Sequence, residues 1–387
     1  MSLLERFRTA PQTPLPQGTV VGHRWGALSR QRRTSIGIDF GAGSLKLAQI
    51  RWTRSGPRLE NYAIVPLPPG TMDEGVIKEP SLVGDVLKAV MAEMAVSQPM
   101  VGTSVGGPSV LMRYINLPKV PAEEMRAAMK FEAPQHLPIP EDQLVYDYTL
   151  VPEATGVPEH QTAVFLSGTH KRLIDSYVAA LGRAGVRPTA VELDCMGTLR
   201  SLQWMGAIPH ESNQPMVLLD FGETDTHISV MRYGVPMLSR TIPTGLNHLR
   251  TAVADSLRLS ASEAETALRL KGVKRDADLA PAVEPWLNGL MEAVARSIEF
   301  FLIQNRGASL DKVFVVGGGA TLPNLPEALT SHLQEVFSGR PEVEQLRVQP
   351  VGLAGLDINP DLLPNIHNFG PLLIGALGSA LREGSPE

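Results

Sequence analysis

Residues 39–52 read DFGAGSLKLAQIRW, and residues 220–233 read DFGETDTHISVMRY. Each stretch places Asp-Phe-Gly directly after an apolar strand and continues with small or hydroxyl-bearing residues. Each then resumes an alternating strand that ends in arginine and an aromatic residue. Because the flanking strand patterns agree as well as the shared residues, the two stretches indicate an internal repeat. The sequence therefore predicts two related α/β halves, each built on a strand, a glycine turn and a second strand.

The composition is that of a globular protein with enough apolar residues for two or three domains. The chain has 387 residues, of which 43% are hydrophobic and 19% charged, with a formal net charge of -5. This acidic balance gives no electrostatic reason to expect nucleic-acid binding, and no apolar run reaches the roughly 18 residues of a membrane span. Cys195 is the only cysteine, which excludes an intramolecular disulfide and is compatible with the cytoplasm.

The first 33 residues form a basic leader. They contain six arginines and one acid, Glu5, which gives a local net charge of 6 - 1 = +5. Basic segments that contain proline seldom pack, so we expect residues 1–33 to be flexible and solvated, with the fold starting at 34. The alternative is transient attraction to anionic lipid, since Leu3, Leu4 and Phe7 can share one side of a short turn.

Between the two repeats, the residue patterns indicate an inserted α+β subdomain. Residues 81–96 carry apolar side chains at helical spacing. From 103 to about 183, the pattern changes to strand-like segments around one helix near 122–131. Residues 249–275 then predict charged helices ahead of a long helix with one apolar face over 283–302. The chain closes with the strand KVFVV, a Gly-Gly-Gly turn and the apolar helix PLLIGALGSAL.

The first glycine turn carries the residue types of a phosphate-binding loop. Its candidates are Asp39, Gly41, Gly43, Ser44 and Lys46. Glycines let the backbone approach a triphosphate, turn amides can donate to its oxygens, and Lys46 adds a point charge. Asp39 has the oxygen ligands to hold Mg²⁺ through water. Taken alone, an ordinary β-hairpin with a glycine turn also explains this stretch.

Two further turns make the case for a nucleotide site stronger. Asp220, Gly222, Thr224 and Asp225 repeat the arrangement and would face the phosphates from the opposite side, with Asp220 near the metal. The run Gly317–Gly319 leaves room for a base and ribose to lie on the backbone, although a strand-to-helix turn explains it as well. The third turn consists of Gly317, Gly318 and Gly319. Together, the three glycine turns in this order predict a nucleotide cleft between two lobes.

These motifs resemble those of the actin, Hsp70 and sugar-kinase superfamily. The shared features are two Asp-x-Gly hairpins, a lysine seven residues after the first Asp, and a late Gly-Gly-Gly turn, over about residues 34–387. Residues 113–140, RYINLPKVPAEEMRAAMKFEAPQHLPIP, with GAGSLKLAQI and GGGATLPNL, are similar to the PilM family of type IV pilus assembly proteins. The resemblance implies an actin-like, ribonuclease H-like α/β fold, two-lobed and duplicated, with a 1C insertion of the type found in the division protein FtsA.

The resemblance also assigns roles to the glycine turns and implies a division into subdomains. By motif position, the turns match two phosphate loops and an adenosine loop, with ATP and Mg²⁺ as ligands and with Asp39 and Asp220 near the metal. The implied subdomains are 1A (34–102 and 185–212), 1C (103–184), 2A (213–248 and 311–387) and 2B (249–310).

For function, the resemblance implies a cytoplasmic ATP-binding scaffold held at the inner membrane by its partners. Members of the family bind the N-terminal tail of the membrane protein PilN between 1A and 1C, which links them to PilO and the pilus motor ATPases. Any ATPase activity is expected to be slow, and self-association is open. Two alternatives remain: a small-molecule kinase of the same superfamily, and an FtsA-like division protein tethered to the bilayer by a C-terminal amphipathic helix.

Two residues and the length of the leader depart from the family pattern. Pro134 predicts that the 1C helix ends or kinks near Ala133. Glu223 brings a negative charge into the second phosphate turn, where it opposes phosphate binding unless it points to solvent. The basic leader is longer than is usual in the family.

Outside the glycine turns, few residues point to a site. Met125 and Met129 lie four residues apart beside Phe131, and their adaptable thioethers suit a partner groove for a peptide. The same three residues are equally explained as the core of 1C. His136, His227 and Cys195 have no metal-ligand spacing, so we expect structural roles for all three.

Overall fold

The computed structural model describes residues 19–21, 34–95, 100–152, 154, 156–210, 212–273, 276–366 and 368–382. Within the predicted leader, Val20 and Val21 form a short strand, and the remaining leader residues other than Thr19 lie outside the described residues. In the part of the chain that is described, no helix is both long and apolar enough to cross a membrane.

The first repeat folds as predicted from its alternating apolar residues, and Pro80 at the first helical position begins the helix that follows. The elements up to the insertion are β1 (Val20–Val21), β2 (Thr34–Phe40), β3 (Ser44–Thr53), β4 (Gly56–Pro66), β5 (Met72–Asp73), β6 (Val76–Ile77), α1 (Pro80–Glu93) and β7 (Met100–Val105).

A second group of elements forms a three-stranded antiparallel sheet in the order β8 (Val110–Pro118), β10 (Gln161–His170), β9 (Leu144–Leu150). The chain then returns to the first sheet through one helix and a strand, and a second helix follows. The sheet and its helix lie within the residues predicted as subdomain 1C, and the exact boundaries stay predictions. The elements are β8 (Val110–Pro118), α2 (Ala122–His136), β9 (Leu144–Leu150), β10 (Gln161–His170), α3 (Lys171–Arg183), β11 (Ala190–Leu193) and α4 (Asp194–Trp204).

The second half repeats the strand, turn and strand of the first and adds helices. Ser260 and Glu263 form a capping box that begins one of them, and Gly272 ends it. The elements are β12 (Met216–Phe221), β13 (Thr226–Arg232), β14 (Val235–Ile242), α5 (Leu246–Leu257), α6 (Ala261–Lys271), α7 (Ala280–Gln304), β15 (Lys312–Gly317), α8 (Leu325–Val336), β16 (Arg347–Pro350), β17 (Asp357–Ile358), α9 (Leu363–Ile366) and α10 (Gly370–Arg382).

The two large sheets have the same topology. The first has the order β1-β4-β3-β2-β7-β11, with β17 also pairing with β4, and the second has the order β14-β13-β12-β15-β16. In each, the strand before the Asp-Phe-Gly turn pairs antiparallel with the strand after it and parallel with a later strand. The five strands that correspond are therefore ordered 3-2-1-4-5 in both sheets, which confirms the predicted duplication.

The last helix, α10, packs where the two halves meet. A Cβ on Gly37 of β2 would overlap the carbonyl oxygen of Ala376, and Gly378 of α10 meets Gly197 of α4 equally closely. The absence of side chains at these positions lets the backbones of α10, β2 and α4 approach each other. Because α10 is buried in this way, it is not available as the bilayer-binding helix that an FtsA-like tether requires.

The structure corrects two predictions about the inserted subdomain. Of the predicted end or kink near Ala133, the end is wrong: α2 continues to His136, since Pro134 removes only one hydrogen bond near the end of the helix. The predicted groove of Met125, Met129 and Phe131 does not form. The two methionines are 2% and 0% exposed in the subdomain core, whereas Phe131 is 74% exposed. The apolar stripe of α2 packs inward, and Phe131 lies outside it.

Candidate functional site

The first turn joins β2 to β3 and places Lys46 opposite Asp39. The two residues are paired in the register of the hairpin, and Nζ of Lys46 lies 3.1 Å from Oδ2 of Asp39. The turn closes through a hydrogen bond from the N–H of Gly41 to the carbonyl oxygen of Ser44, at 3.1 Å. A Cβ on Gly41 would lie 2.7 Å from Nζ of Lys46, so the glycine leaves the space that the ammonium group occupies.

The second turn joins β12 to β13 and places His227 opposite Asp220 in the same register. It closes through a hydrogen bond from the N–H of Gly222 to the carbonyl oxygen of Asp225, at 2.9 Å. Nε2 of His227 lies 2.8 Å from Oδ1 of Asp225. The N–H of Leu246, the first residue of α5, donates to the carbonyl oxygen of Gly222 at 3.1 Å, so the turn rests on the start of that helix.

The third glycine run packs directly against the second turn. Gly317 has a φ of +80°, and a Cβ there would lie 2.6 Å from the carbonyl oxygen of Phe221. A Cβ on Gly319 would lie 2.7 Å from Cγ of Phe221. Only glycine satisfies both the left-handed backbone and the close approach at Gly317. The glycine run therefore forms one continuous surface with the second turn, which begins at Asp220.

These turns line one cavity of about 700 Å³ between the two halves. The hairpin of β5 and β6 and the helix α6 complete its walls. Gly319 is the predicted residue that does not reach the cavity, because it is buried against Phe221. The predicted residues in the lining are Asp39, Gly41, Gly43, Ser44, Lys46, Asp220, Gly222, Thr224, Asp225, Gly317 and Gly318.

Carboxylates surround the two cations that face the aspartates of the turns. Burial alone would lower the pKa of Lys46, but the charge of Asp39, with smaller effects of Asp220 and Asp194, leaves it above the usual value. Burial also opposes protonation of His227, yet the hydrogen bond and charge of Asp225 raise its pKa to about 9. Both side chains are therefore cationic at neutral pH.

The sequence did not identify several titratable residues of the cavity, among them His227 and Asp194. His227 was expected to be structural, but it lines the cavity beside the second turn. Asp194 was not considered, although it directly follows a strand of the first sheet, at the edge where β2 also ends. Burial, followed by the charge of Asp39, raises the pKa of Asp194 to about 7. Its position at a strand end was the available signal.

The unexpected acid of the second turn has a partner in the structure. Oε1 of Glu223 accepts hydrogen bonds from both Nη1 and Nη2 of Arg250, each at 2.9 Å, and Oε2 accepts from Nη2 at 2.9 Å. Nε of Arg250 donates to Oε2 of Glu265 at 3.1 Å. The charge of Glu223 is therefore not directed to solvent, because α5 and α6 supply an ion-pair network around it.

The residues of the cavity fit a nucleotide that brings its own hydrated metal. Gly41 and Gly317 keep side chains away from the turns, and Lys46 supplies a cation. Among the described residues, no group of three or more His, Cys, Asp or Glu side chains is arranged to hold a metal. That Asp39 and Asp220 meet the magnesium ion of a nucleotide through water stays a prediction.

The fold of the chain is actin-like and occurs in several solved structures. A protein in a PilM–PilN type IV pilus biogenesis complex is 26% identical with a TM-score of 0.77, over 91% of this chain and 99% of that chain. The ethanolamine utilization protein EutJ from Carboxydothermus hydrogenoformans is 17% identical with a TM-score of 0.52, over 92% of each chain. The protein of the MamK double helical filament is 13% identical with a TM-score of 0.52, over 92% of this chain and all of that chain. EutJ and MamK share the fold alone.

The family is established by a match over most of the sequence. The model of the type IV pilus assembly protein PilM matches residues 37–338, a range that includes both Asp-Phe-Gly turns, the inserted subdomain and the third glycine run. The predicted resemblance is confirmed: the chain belongs to the PilM family of type IV pilus assembly proteins.

Proposed function

We propose that this chain is an ATP-binding scaffold of type IV pilus assembly that binds the N-terminal tail of PilN. The observation that carries the nucleotide part is the pairing of two glycine turns across one cavity, with Lys46 held by Asp39 in its lining. A buried, charged lysine beside open backbone amides is the arrangement that favours polyphosphate over neutral ligands. Asp220 would face the magnesium ion of the nucleotide from the second turn.

The nucleotide is proposed to bias the cleft rather than to be consumed rapidly. A ligand that contacts both halves favours the arrangement in which both sets of contacts form. Asp194 has a pKa of about 7, which suits it to accept a proton from water, so slow hydrolysis is compatible with the site. Any change of the cleft would alter the relation of the two halves, to which the inserted subdomain is attached.

The partner part of the proposal is supported by the similarity to the protein in the PilM–PilN complex, which extends over 91% of this chain. PilN would connect the chain to PilO and the pilus motor ATPases, and would keep it at the cytoplasmic side of the inner membrane. Met125 and Met129 are buried and do not present their thioethers to a partner. The family resemblance implies that the tail binds between the first sheet and the inserted subdomain.

Isothermal titration of the full chain with ATP and Mg²⁺ tests the nucleotide part. We expect Lys46→Ala to weaken binding by about 100-fold, since a charge-assisted contact to phosphate is worth roughly 2–3 kcal/mol. Lys271→Ala is the matched control, because Lys271 is an exposed lysine paired with Asp276 and does not line the cavity. Equal binding by both variants would remove Lys46 from the site.

A synthetic PilN tail tests the partner part in the same instrument. Binding of the tail, with an affinity that changes when ATP and Mg²⁺ are present, is the expected result. A tail that binds with the same affinity in both conditions would leave a scaffold without nucleotide control. A tail that does not bind in either condition would contradict the partner assignment.

A further inference from the structure

Glu223 is the residue that distinguishes the second turn from the first. The corresponding residue of the first turn is Ala42, which follows Asp-Phe-Gly in the same way. The side chain of Glu223 lies directly against the first turn. A Cβ built on Gly43 would lie 3.0 Å from Cγ, 3.1 Å from Cβ and 3.3 Å from Cδ of Glu223. The carboxylate side chain thus lies between the two turns that line the proposed phosphate site.

Arg250 keeps Glu223 in this position. Three hydrogen bonds of 2.9 Å join its guanidinium group to the carboxylate, and Glu265 accepts from the remaining Nε. Arg250 also lines the cavity, so a group that could contact phosphate already has two carboxylate partners. Both side chains are partly shielded from solvent, at 25% exposed for Arg250 and 29% for Glu223. Their charges are therefore less screened than those of a surface pair.

The other charges of the cavity increase the effect of this carboxylate. The other acids of its lining are Asp39, Asp73, Glu74, Asp194, Asp220, Asp225 and Glu265, and its cations are Lys46, His227, Arg250 and Arg269. A nucleotide that carries three or four negative charges meets like charge from these residues unless a metal ion or a displaced side chain compensates. Among the acids, Glu223 is the one that reaches across to Gly43 on a flexible side chain.

We propose that Glu223 is an internal anion that occupies the space between the two turns, competes with nucleotide phosphates for Arg250, and makes the cavity select ligands by their phosphate charge. The inference rests on the proposed nucleotide binding and deepens it, since it names a specificity-determining residue. A nucleotide with more phosphate charge has to displace Glu223 from Arg250, whereas adenosine does not.

Titration calorimetry of the full chain with Mg²⁺ plus ATP, ADP or adenosine tests the proposal. For Glu223→Gln we expect ATP affinity to rise by roughly fivefold or more, which is the effect of one unit charge at about 4 Å even in bulk water. The gain should be smaller for ADP and absent for adenosine, and added salt should reduce it. Glu223→Ala, which gives the second turn the alanine that the first turn has, should also raise affinity most for ATP, less for ADP and not at all for adenosine.

Glu265→Gln is the matched control, because it removes the other carboxylate bound to Arg250 without altering the contact with Gly43. We expect a smaller gain in ATP affinity for this variant. If Glu223 only ties the turn to α5, its variants would change affinity for all three ligands alike, and that result overturns the proposal. Equal ATP affinity of the wild type and Glu223→Gln overturns the proposal for Glu223 and leaves the proposed nucleotide binding in place. No ATP binding by any variant overturns it together with the proposed nucleotide binding.

Discussion

The two Asp-Phe-Gly turns have the same hairpin arrangement of the backbone but differ in their charged side chains. Each places a cationic side chain opposite the aspartate in the hairpin register, Lys46 in the first and His227 in the second. The lysine is a permanent cation in the physiological range, whereas the histidine depends on its carboxylate neighbours for its proton. The duplicated strand geometry therefore provides the same positions twice, and the side chain at each position decides whether the charge responds to pH.

The two turns also differ in how firmly the surrounding backbone supports them. A Cβ on Gly245, beneath the second turn, would lie 2.5 Å from the backbone of Glu223 and Asp225. A Cβ on Gly43, in the first turn, would instead meet side-chain atoms of Glu223, at 3.0–3.3 Å. The second turn is thus packed between backbone segments, and the first is open toward the cavity. The effects of substitutions should follow this difference.

The largest expected effect is at the glycine run behind the second turn. Gly317→Ala should lower the free energy of unfolding by about 2–4 kcal/mol, because alanine is strained at a positive φ and its Cβ would meet the carbonyl oxygen of Phe221. Gly339→Ala is the matched control, since Gly339 has a φ of +77° but open space around it, and should cost about 1 kcal/mol. Urea denaturation measures both, and equal losses would show that the second turn does not need the close approach.

The next largest effect is the pH dependence of stability that arises from His227 in the second half. Its pKa is about 9 in the folded chain against about 6.5 unfolded, so its stabilising contribution is complete below pH 6.5 and is lost as pH rises through 9. His227→Gln should lower the free energy of unfolding by about 1–3 kcal/mol at pH 6 and by much less at pH 9.5. Denaturation curves at both pH values measure this. Parallel pH profiles for the wild type and the variant would contradict the assigned pairing with Asp225.

Asp194 gives a smaller effect of the opposite kind. Burial raises its pKa to about 7, so ionisation in the folded chain costs stability as pH rises from about 4 through 7. Asp194→Asn cannot ionise, and we expect its free energy of unfolding to gain about 1–2 kcal/mol relative to the wild type between pH 5 and pH 8. The difference between the two denaturation midpoints at each pH is the measurement. A difference that stays constant would show that Asp194 remains ionised throughout.

The smallest effect is expected in the first turn. Gly43→Ala should lower the free energy of unfolding by about 1 kcal/mol or less, because Cβ, Cγ and Cδ of Glu223 would lie 3.0–3.3 Å from the added methyl group and have to shift only by a few tenths of an ångström. Gly245→Ala should cost several times more, since its neighbours are backbone atoms of the second turn. Thermal unfolding of the two variants side by side compares the turns directly. A large loss for Gly43→Ala would mean that Glu223 is rigidly fixed.

Much of the fold could be predicted because it depends on local patterns. The repeated Asp-Phe-Gly hairpins, the apolar stripe of α1 and the long apolar face of α7 all follow from spacings of two, three or four residues. The helix α2 runs past its predicted end at Ala133, because a proline near a helix end removes only one hydrogen bond, and Met129 and Ala133 pack in the core of the subdomain. The predicted partner groove of Met125, Met129 and Phe131 was wrong for a related reason. Spacing shows which residues share a face of a helix, but it does not show which face is buried.

The sequence by itself determined the duplicated halves, the three glycine turns and the aspartates and lysine they carry, since these features depend on neighbours along the chain. Only the tertiary structure decided that Asp194 and His227 enter the cavity and that Arg250 binds Glu223, because these residues come from separate elements. Their protonation and partners depend on burial and on charges brought close by the packing of the two sheets. The strand end before Asp194 and the hairpin register of His227 were local signals, whereas the pairing of Arg250 with Glu223 has no signature in the spacing of residues along the chain.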